Sequence, residues 1–437
     1  MLVSALMFPG LFVLVLAGIP IAFSLAIVAV SAGAFAFGPH IFNQLYGSFY
    51  TAATNFILSA IPMFILMGAI LERSGIAERL FKTMQIWLKG LPGGLAVATI
   101  AMGAVFAAAA GVVGAVEVMI GMMAIPAMQK YRYDNRLIAG TICAGGSLGT
   151  MIPPSVIAVM YASLAQLSVG EVLAGMMFPG LIMIALFIGY LLIHGMISPP
   201  EKVPELEEED DMPLGEKLRL TCSTLLPVIA LIFAVLGSLL AGIASPTEAA
   251  AVGAVGALIL CIAYGRFSMS VMRESLAITV RISAMILLIV AAGTMFMGVF
   301  AANGGAQLIR GFLEGSGLGT TGMIIFFLIV VFILGFVLDW TANVLICVPL
   351  FTPFIRSAGV DPVWFATLVI IVIQTGYLTP PMASSIFYLK SIAPPNMTYG
   401  QMCRGVIPFI LLQILTLLLV VAFPVTATWL PSKIVGF

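Results

Sequence analysis

The chain has 437 residues, of which 62% are hydrophobic and only 8% charged, against roughly 25% charged residues in soluble domains. Its 18 basic and 18 acidic side chains cancel, so no basic surface awaits nucleic acid and no net field steers a ligand. Composition therefore excludes a soluble domain and a nucleic-acid binder, and places the protein in a lipid bilayer.

The N-terminus is apolar from its first residue and has neither a basic region nor a small-residue cleavage site, so it reads as a retained span. Crossing a hydrocarbon core takes about 20 apolar residues. Such runs occur at 6–37, 54–71, 138–164, 176–197, 224–243, 247–264, 275–302, 363–390 and 405–430. Two further stretches, 93–128 and 319–355, are interrupted at their centres by "AAAAGVVGAVE" and "FILGFVLDWTAN". Unpaired backbone cannot face lipid, so each break must be buried in protein or line a cavity, as in a re-entrant helical hairpin.

Lys and Arg set the expected orientation. Arg73, Arg79, Lys82 and Lys89 precede the first hairpin and Lys130, Arg132 and Arg136 follow it, whereas the second is flanked by Arg310 and Arg356 alone. The first hairpin is therefore expected to enter from the cytoplasm and the second from outside, with the N-terminus inside and the C-terminus outside. The Pro/Glu-rich stretch 198–223 then reads as a cytoplasmic solvated linker, a docking segment being the alternative.

The two halves repeat. "MGAILERSG" from Met67 matches "MGVFAANGG" from Met297, Glu117 and Pro126 match Asp339 and Pro349, and Pro153-Pro154 matches Pro380-Pro381. With opposite entry sides these are inverted repeats, which in secondary transporters enclose a site near the midplane. The expected layout is an N-terminal scaffold span (1–53), a first repeat (54–197), the linker, scaffold spans (224–274) and a second repeat (275–437).

"GGSLGTMIPPS" and "GYLTPP" explain how each repeat builds its site. Proline lacks an N–H and clashes with the preceding turn, so each motif is expected to open a helix in mid-membrane. Freed carbonyls then face a small cation, while the helix starts that follow, and those of the second hairpin arms, offer N–H groups to an anion. Ser147, Thr150, Ser155, Thr375, Thr379, Ser384 and Ser385 add hydroxyls for Na⁺ or a carboxylate. Neither hairpin core nor either broken motif carries Arg, Lys or His, so an anionic substrate must be held by helix ends. Glu117 and Asp339 lie near the hairpin tips, where an ionised acid is costly and points to function. Asp339, with Thr341 and Asn343 close by, reads as a cation ligand or as the group that fixes the tip.

Other features read as structure. "SPTE" at 245–248 is a capping box, the 26 methionines are adaptable packing, and the five cysteines, without a CxxC pair, are buried thiols. No HExxH, GxSxG or GxxxxGKS motif occurs, so neither an enzyme nor direct use of ATP is expected.

"GIASPTEAAAVGA", "GGSLGTMIPPS", "GFVLDWTANVLICVPLFTP" and "GYLTPP", in this order, resemble the large, DctM-like membrane subunit of tripartite ATP-independent periplasmic (TRAP) transporters over essentially the whole chain. The resemblance implies an all-α polytopic membrane protein with an elevator-type transport domain on a scaffold, two re-entrant hairpins and two broken transmembrane helices. It implies Na⁺ as coupling ion, an organic acid as substrate, a small membrane subunit as a separate chain, and a periplasmic substrate-binding protein, all at a bacterial inner membrane. On this reading the sodium set is Ser147, Gly149, Thr150 and Pro153 with Gly335, Asp339, Thr341, Gly376, Thr379 and Pro380. The substrate set is Gly111, Gly114, Ser155, Asn343, Ser384 and Ser385. The first hairpin tip lacks the serine usual in sialic acid and C4-dicarboxylate members, which favours another carboxylate, a 2-oxo acid or a hydroxy acid. A stand-alone ion-coupled anion carrier is the alternative.

Overall fold

A computed structural model describes residues 2–88, 90–110, 114–198, 213–380 and 383–434. Twenty α-helices account for nearly all of them, and no strand occurs among the described residues. Seven helical stretches there are long and apolar enough to cross a bilayer.

The first three helices are α1 (Leu2–Leu16), α2 (Ile21–Phe37) and α3 (Ile41–Ala53). The single run expected over 6–37 is two helices, because Gly18 takes a left-handed φ of 86° and Pro20 starts α2. Helices α4 (Ala60–Arg73) and α5 (Ile76–Leu88) turn about Gly75, at φ 70°. Short α5 buries Ile76, Ala77, Leu80 and Phe81 and leaves its charged residues on the opposite face.

Next come α6 (Gly94–Ala110) and α7 (Ala115–Lys130), which pack on each other, then α8 (Asn135–Ser147), α9 (Val156–Ala165) and α10 (Val169–Ile197). Most of the acidic linker, residues 199–212, lies outside the described residues; α11 (Leu214–Leu240) begins ten residues before the apolar run expected from 224. In α12 (Pro246–Ala263) the capping box is complete: Ser245 Oγ accepts from the Glu248 N–H, and the Glu248 carboxylate accepts from the Ser245 N–H at 2.7 Å.

Helices α13 (Met269–Ala302) and α14 (Gly305–Ser316) meet at left-handed Gly304, repeating the α4–Gly75–α5 turn. The chain continues through α15 (Thr320–Leu334), α16 (Trp340–Ser357), α17 (Pro362–Leu378), α18 (Ser384–Lys390), α19 (Tyr399–Ala422) and α20 (Val425–Ile434). One group of contacts joins α4, α12 and α13 with α2 and α3; a second gathers α6 to α9 with α15 to α19.

Inside a membrane, helices gain little from hydrophobicity against lipid and associate through close packing, which small residues permit. Helix α8 shows this physically. Every residue from Ile138 to Ser147 is buried, and a Cβ at Gly140 would overlap the Gly405 carbonyl of α19. A Cβ at Gly103 of α6 would likewise come within 2.8 Å of the Gly145 carbonyl. Helix α17, buried continuously from Phe365 to Leu378, is its counterpart.

Candidate functional site

After α8 the backbone tightens into a 3₁₀ turn, Leu148–Thr150, then passes through Pro153 and Pro154 before α9 starts. Three hydroxyls stitch this break. Ser147 Oγ donates to the Ala144 carbonyl at 2.9 Å, Thr150 Oγ1 to the Ser147 carbonyl at 2.9 Å, and Ser155 Oγ to the Thr150 carbonyl at 2.8 Å. Their hydrogens serve the backbone, and their lone pairs remain as acceptors. Gly149 and Pro153 are buried in the same segment. From α17, Gln374 Nε2 reaches Ser147 Oγ at 3.4 Å, and Gln374 Oε1 is buried without a donor.

The second break gathers two elements. Gly335 ends α15 and Asp339 N-caps α16, its Oδ1 accepting from the Thr341 N–H at 2.5 Å. Asn343 Nδ2 donates to the Val331 carbonyl at 2.9 Å and ties the two arms, as does Phe327 stacked on Phe351 at 4.0 Å between ring centroids. Opposite them α17 ends at Leu378, where Thr379 Oγ1 donates back to the Thr375 carbonyl at 2.7 Å. Gly335, Asp339 and Asn343 face Gly376, Tyr377 and Ser384 across a cavity of about 20 Å³, room for one water-sized body. Thr341, Thr379 and Pro380 do not line it; the Thr341 hydroxyl is buried and unpartnered, and Pro380 is exposed. Asn343, expected with the substrate set, sits in this cavity beside Asp339.

The first hairpin differs. Gly111 lies outside the described residues. Gly114 precedes α7 with φ 93°, and a Cβ there would come within 2.9 Å of the Tyr388 ring of α18. Glu117 is fully buried, as is Ser385 of α18 beside it; neither side chain makes a well-formed hydrogen bond, and the Ser385 hydroxyl is the polar group acting on the carboxyl. Each hairpin thus leans on the broken helix of the other half: α7 packs against α18, and α16 against α9, where Arg356 Nη2 donates to the Ala165 carbonyl at 2.7 Å.

Of the four helix starts expected to await an anion, α7 and α9 begin without a side-chain cap. The start of α16 is already occupied by the Asp339 carboxylate, and α18 is only seven residues long, too short to build a strong dipole. Sequence reasoning passed over Gln374, Tyr377 and Tyr388. Gln374 carried a readable signal, since it is the one amide in an otherwise apolar α17.

Asp339, Asn343 and Ser384 bring side-chain oxygens to a space of atomic size, while Gln374 Oε1 and Thr341 Oγ1, outside its lining, are buried without a partner. This donor set fits a small hard cation such as Na⁺.

The sequence pattern described as "Tripartite ATP-independent periplasmic transporter, DctM component" matches residues 8–426. The C4-dicarboxylate TRAP transporter large permease protein DctM of Pseudomonas aeruginosa is 28% identical, over 91% of each chain. The sialic acid TRAP transporter large permease protein SiaM of Vibrio cholerae is 27% identical, over 97% of each. With the isethionate TRAP transporter permease protein DctMQ of Oleidesulfovibrio alaskensis, identity is 29% over 93% of this chain and 63% of that protein. The crystal structure of the Alcanivorax borkumensis YdaH transporter shares the fold, with a TM-score of 0.63 at 14% identity over 96% of this chain and all of that one. With a match spanning nearly its whole length and many apolar helices to carry it through a bilayer, this chain belongs to the DctM family, the large multi-pass permease of tripartite ATP-independent periplasmic transporters.

Proposed function

We propose that this permease carries out sodium-driven uptake of an organic acid delivered by a periplasmic substrate-binding protein. The observation that carries the reading is the Asp339 cavity, where a hairpin turn and a helix break bring oxygen donors together around a space for one small ion. Gly335, Asp339, Asn343 and Gly376 would hold one Na⁺, with Thr341 and Thr379 a turn away. Ser147, Gly149, Thr150 and Pro153, with Gln374 Oε1, would form the corresponding set at the first break. Bound Na⁺ supplies positive charge to a region whose described helices bring no basic side chain to the breaks.

The substrate then lies between the hairpin tips, near Gly114, Ser155, Ser384 and Ser385, and the uncapped starts of α7 and α9 face its carboxylate. The matched turns at Gly75 and Gly304, and the crossed packing of α7 on α18 and α16 on α9, support two inverted repeats moving as an elevator against a scaffold built on α4, α12 and α13. The relatives are named for C4-dicarboxylate, sialic acid and isethionate. For this chain a carboxylate or hydroxy acid is the preferred class. A small membrane subunit, as a separate chain, completes the complex in the inner membrane, with the N-terminus of this chain cytoplasmic and its C-terminus periplasmic.

The test is uptake of radiolabelled organic acids into proteoliposomes holding this chain and its small partner, under an inward Na⁺ gradient, with and without the binding protein. Uptake that requires both Na⁺ and the binding protein is the expected result. Robust uptake without the binding protein would establish a stand-alone ion-coupled carrier in its place.

A further inference from the structure

Glu117 belongs to neither ion set, yet it is the acid most completely enclosed by the hairpins. Neither Oε1 nor Oε2 has a hydrogen-bond partner, and the neighbouring Ser385 Oγ has none either. The side chain lies in a notch made by Gly146 of α8, where a Cβ would overlap it. Helix α7 therefore cannot seat against α8 without enclosing this carboxyl.

The titratable groups that act on it or are acted on by it are Cys143 from α8, Tyr377 from α17 and Tyr388 from α18, and none is basic. Helix α6 brings no ionisable side chain. Glu72 and Arg73 of α4, and Glu78, Arg79 and Lys82 of α5, belong to helices that touch α7 but do not interact with the carboxyl; Lys130 is at the other end of α7. A carboxylate here would have the Ser385 hydroxyl as its one neighbouring donor and no counter-ion, an arrangement proteins avoid by neutralising the group.

We propose that Glu117 is a proton-binding site, separate from the sodium sets, that loads as the first hairpin closes. One proton passes from water to the carboxylate when α7 seats against α8 and α18, and returns to water when the hairpin lifts. The neutral acid has one O–H to donate, and Ser385 Oγ is the acceptor beside it. The consequence for transport rests on the proposed uptake of an organic acid: an anion between the tips meets a neutral group and no repelling charge.

The test reads stability and needs no transport. The purified full-length chain is melted in detergent, with choline in place of sodium, from mildly acidic to mildly alkaline buffer. A proton held by the folded chain and released on unfolding stabilises at low pH, and that contribution is lost as pH rises. The wild-type melting temperature is expected to fall with rising pH, whereas Glu117→Gln should lose that slope and melt above the wild type at the alkaline end. Equal slopes in the two proteins would overturn the proposal. So would restoration of the alkaline wild type by NaCl with no effect on Glu117→Gln, which would make this a sodium site. If Glu117→Gln does not fold, Ser385→Ala keeps the carboxyl and removes the hydroxyl that can donate to its ionised form, and the pH midpoint should move up; an unmoved midpoint counts against the site. Absent sodium-driven uptake with the pH slope intact would sink the transport reading and leave this one standing.

Discussion

Asp339 and Glu117 both lie at the start of a hairpin's second helix, α16 and α7, and the structure uses them differently. Asp339 stands one residue before α16, so its carboxylate turns onto the helix's own N–H groups and also lines the cavity with Gly335 and Gly376. Glu117 is the third residue of α7, behind Gly114, and its side chain runs into the Gly146 notch with only the Ser385 hydroxyl beside it. Three residues of displacement along a helix start separate an acid that organises backbone and cavity from one left chemically open.

The sharpest way to test this contrast is Asp339→Asn. Asparagine caps a helix as well as aspartate, so folding should survive while a charged ligand worth about 2–3 kcal/mol is lost, weakening apparent sodium affinity by roughly 30–150-fold. A wild-type sodium titration of uptake would reduce Asp339 to a cap. Asp339→Ala should behave the same in transport and lose about 1 kcal/mol more stability. For Glu117 the corresponding change is Gly146→Ala, predicted to cost about 1–3 kcal/mol by overpacking. Combination with Glu117→Ala should recover part of that cost in a thermal-melt cycle; strictly additive effects would mean the two residues do not meet.

Gln374→Leu asks whether the two breaks communicate. It removes the donor to Ser147 and the orphan Oε1, and a loss near 1 kcal/mol predicts about a fivefold weaker sodium dependence. No shift in the titration would leave Gln374 as packing. Smallest should be Thr150→Ala and Thr379→Ala, whose hydroxyls are already bonded to their own backbone; each should shift the sodium midpoint by about fivefold or less. Unchanged midpoints in both would remove them from the ion sites.

The breaks themselves were legible because proline and glycine act on the backbone locally: "GTMIPPS" and "YLTPP" open helices wherever they sit. The hairpins were legible because a 36-residue apolar stretch cannot cross once with a buried gap. Which side chains meet was not. Gln374 reaches Ser147 across 227 positions of sequence, and Tyr388 covers Gly114 only because α7 packs on α18. The resemblance put Asn343 in the substrate set, and its bond to the Val331 carbonyl holds it at the cavity beside Asp339. The division of 6–37 into α1 and α2 was present in Gly18 and Pro20 but hidden by apolar residues on both sides.

Helix α8 carries a consequence for how such a permease diversifies. Gly140 and Gly146 meet the Gly405 backbone and the Glu117 stem with no room for a Cβ, and the Gly145 carbonyl leaves none at Gly103, so this axle admits few substitutions at its glycine contacts. New cargo preferences must arise elsewhere, at residues such as Ser384 that border the breaks. A lineage that changes what it imports would be expected to keep the axle and rewrite the tips.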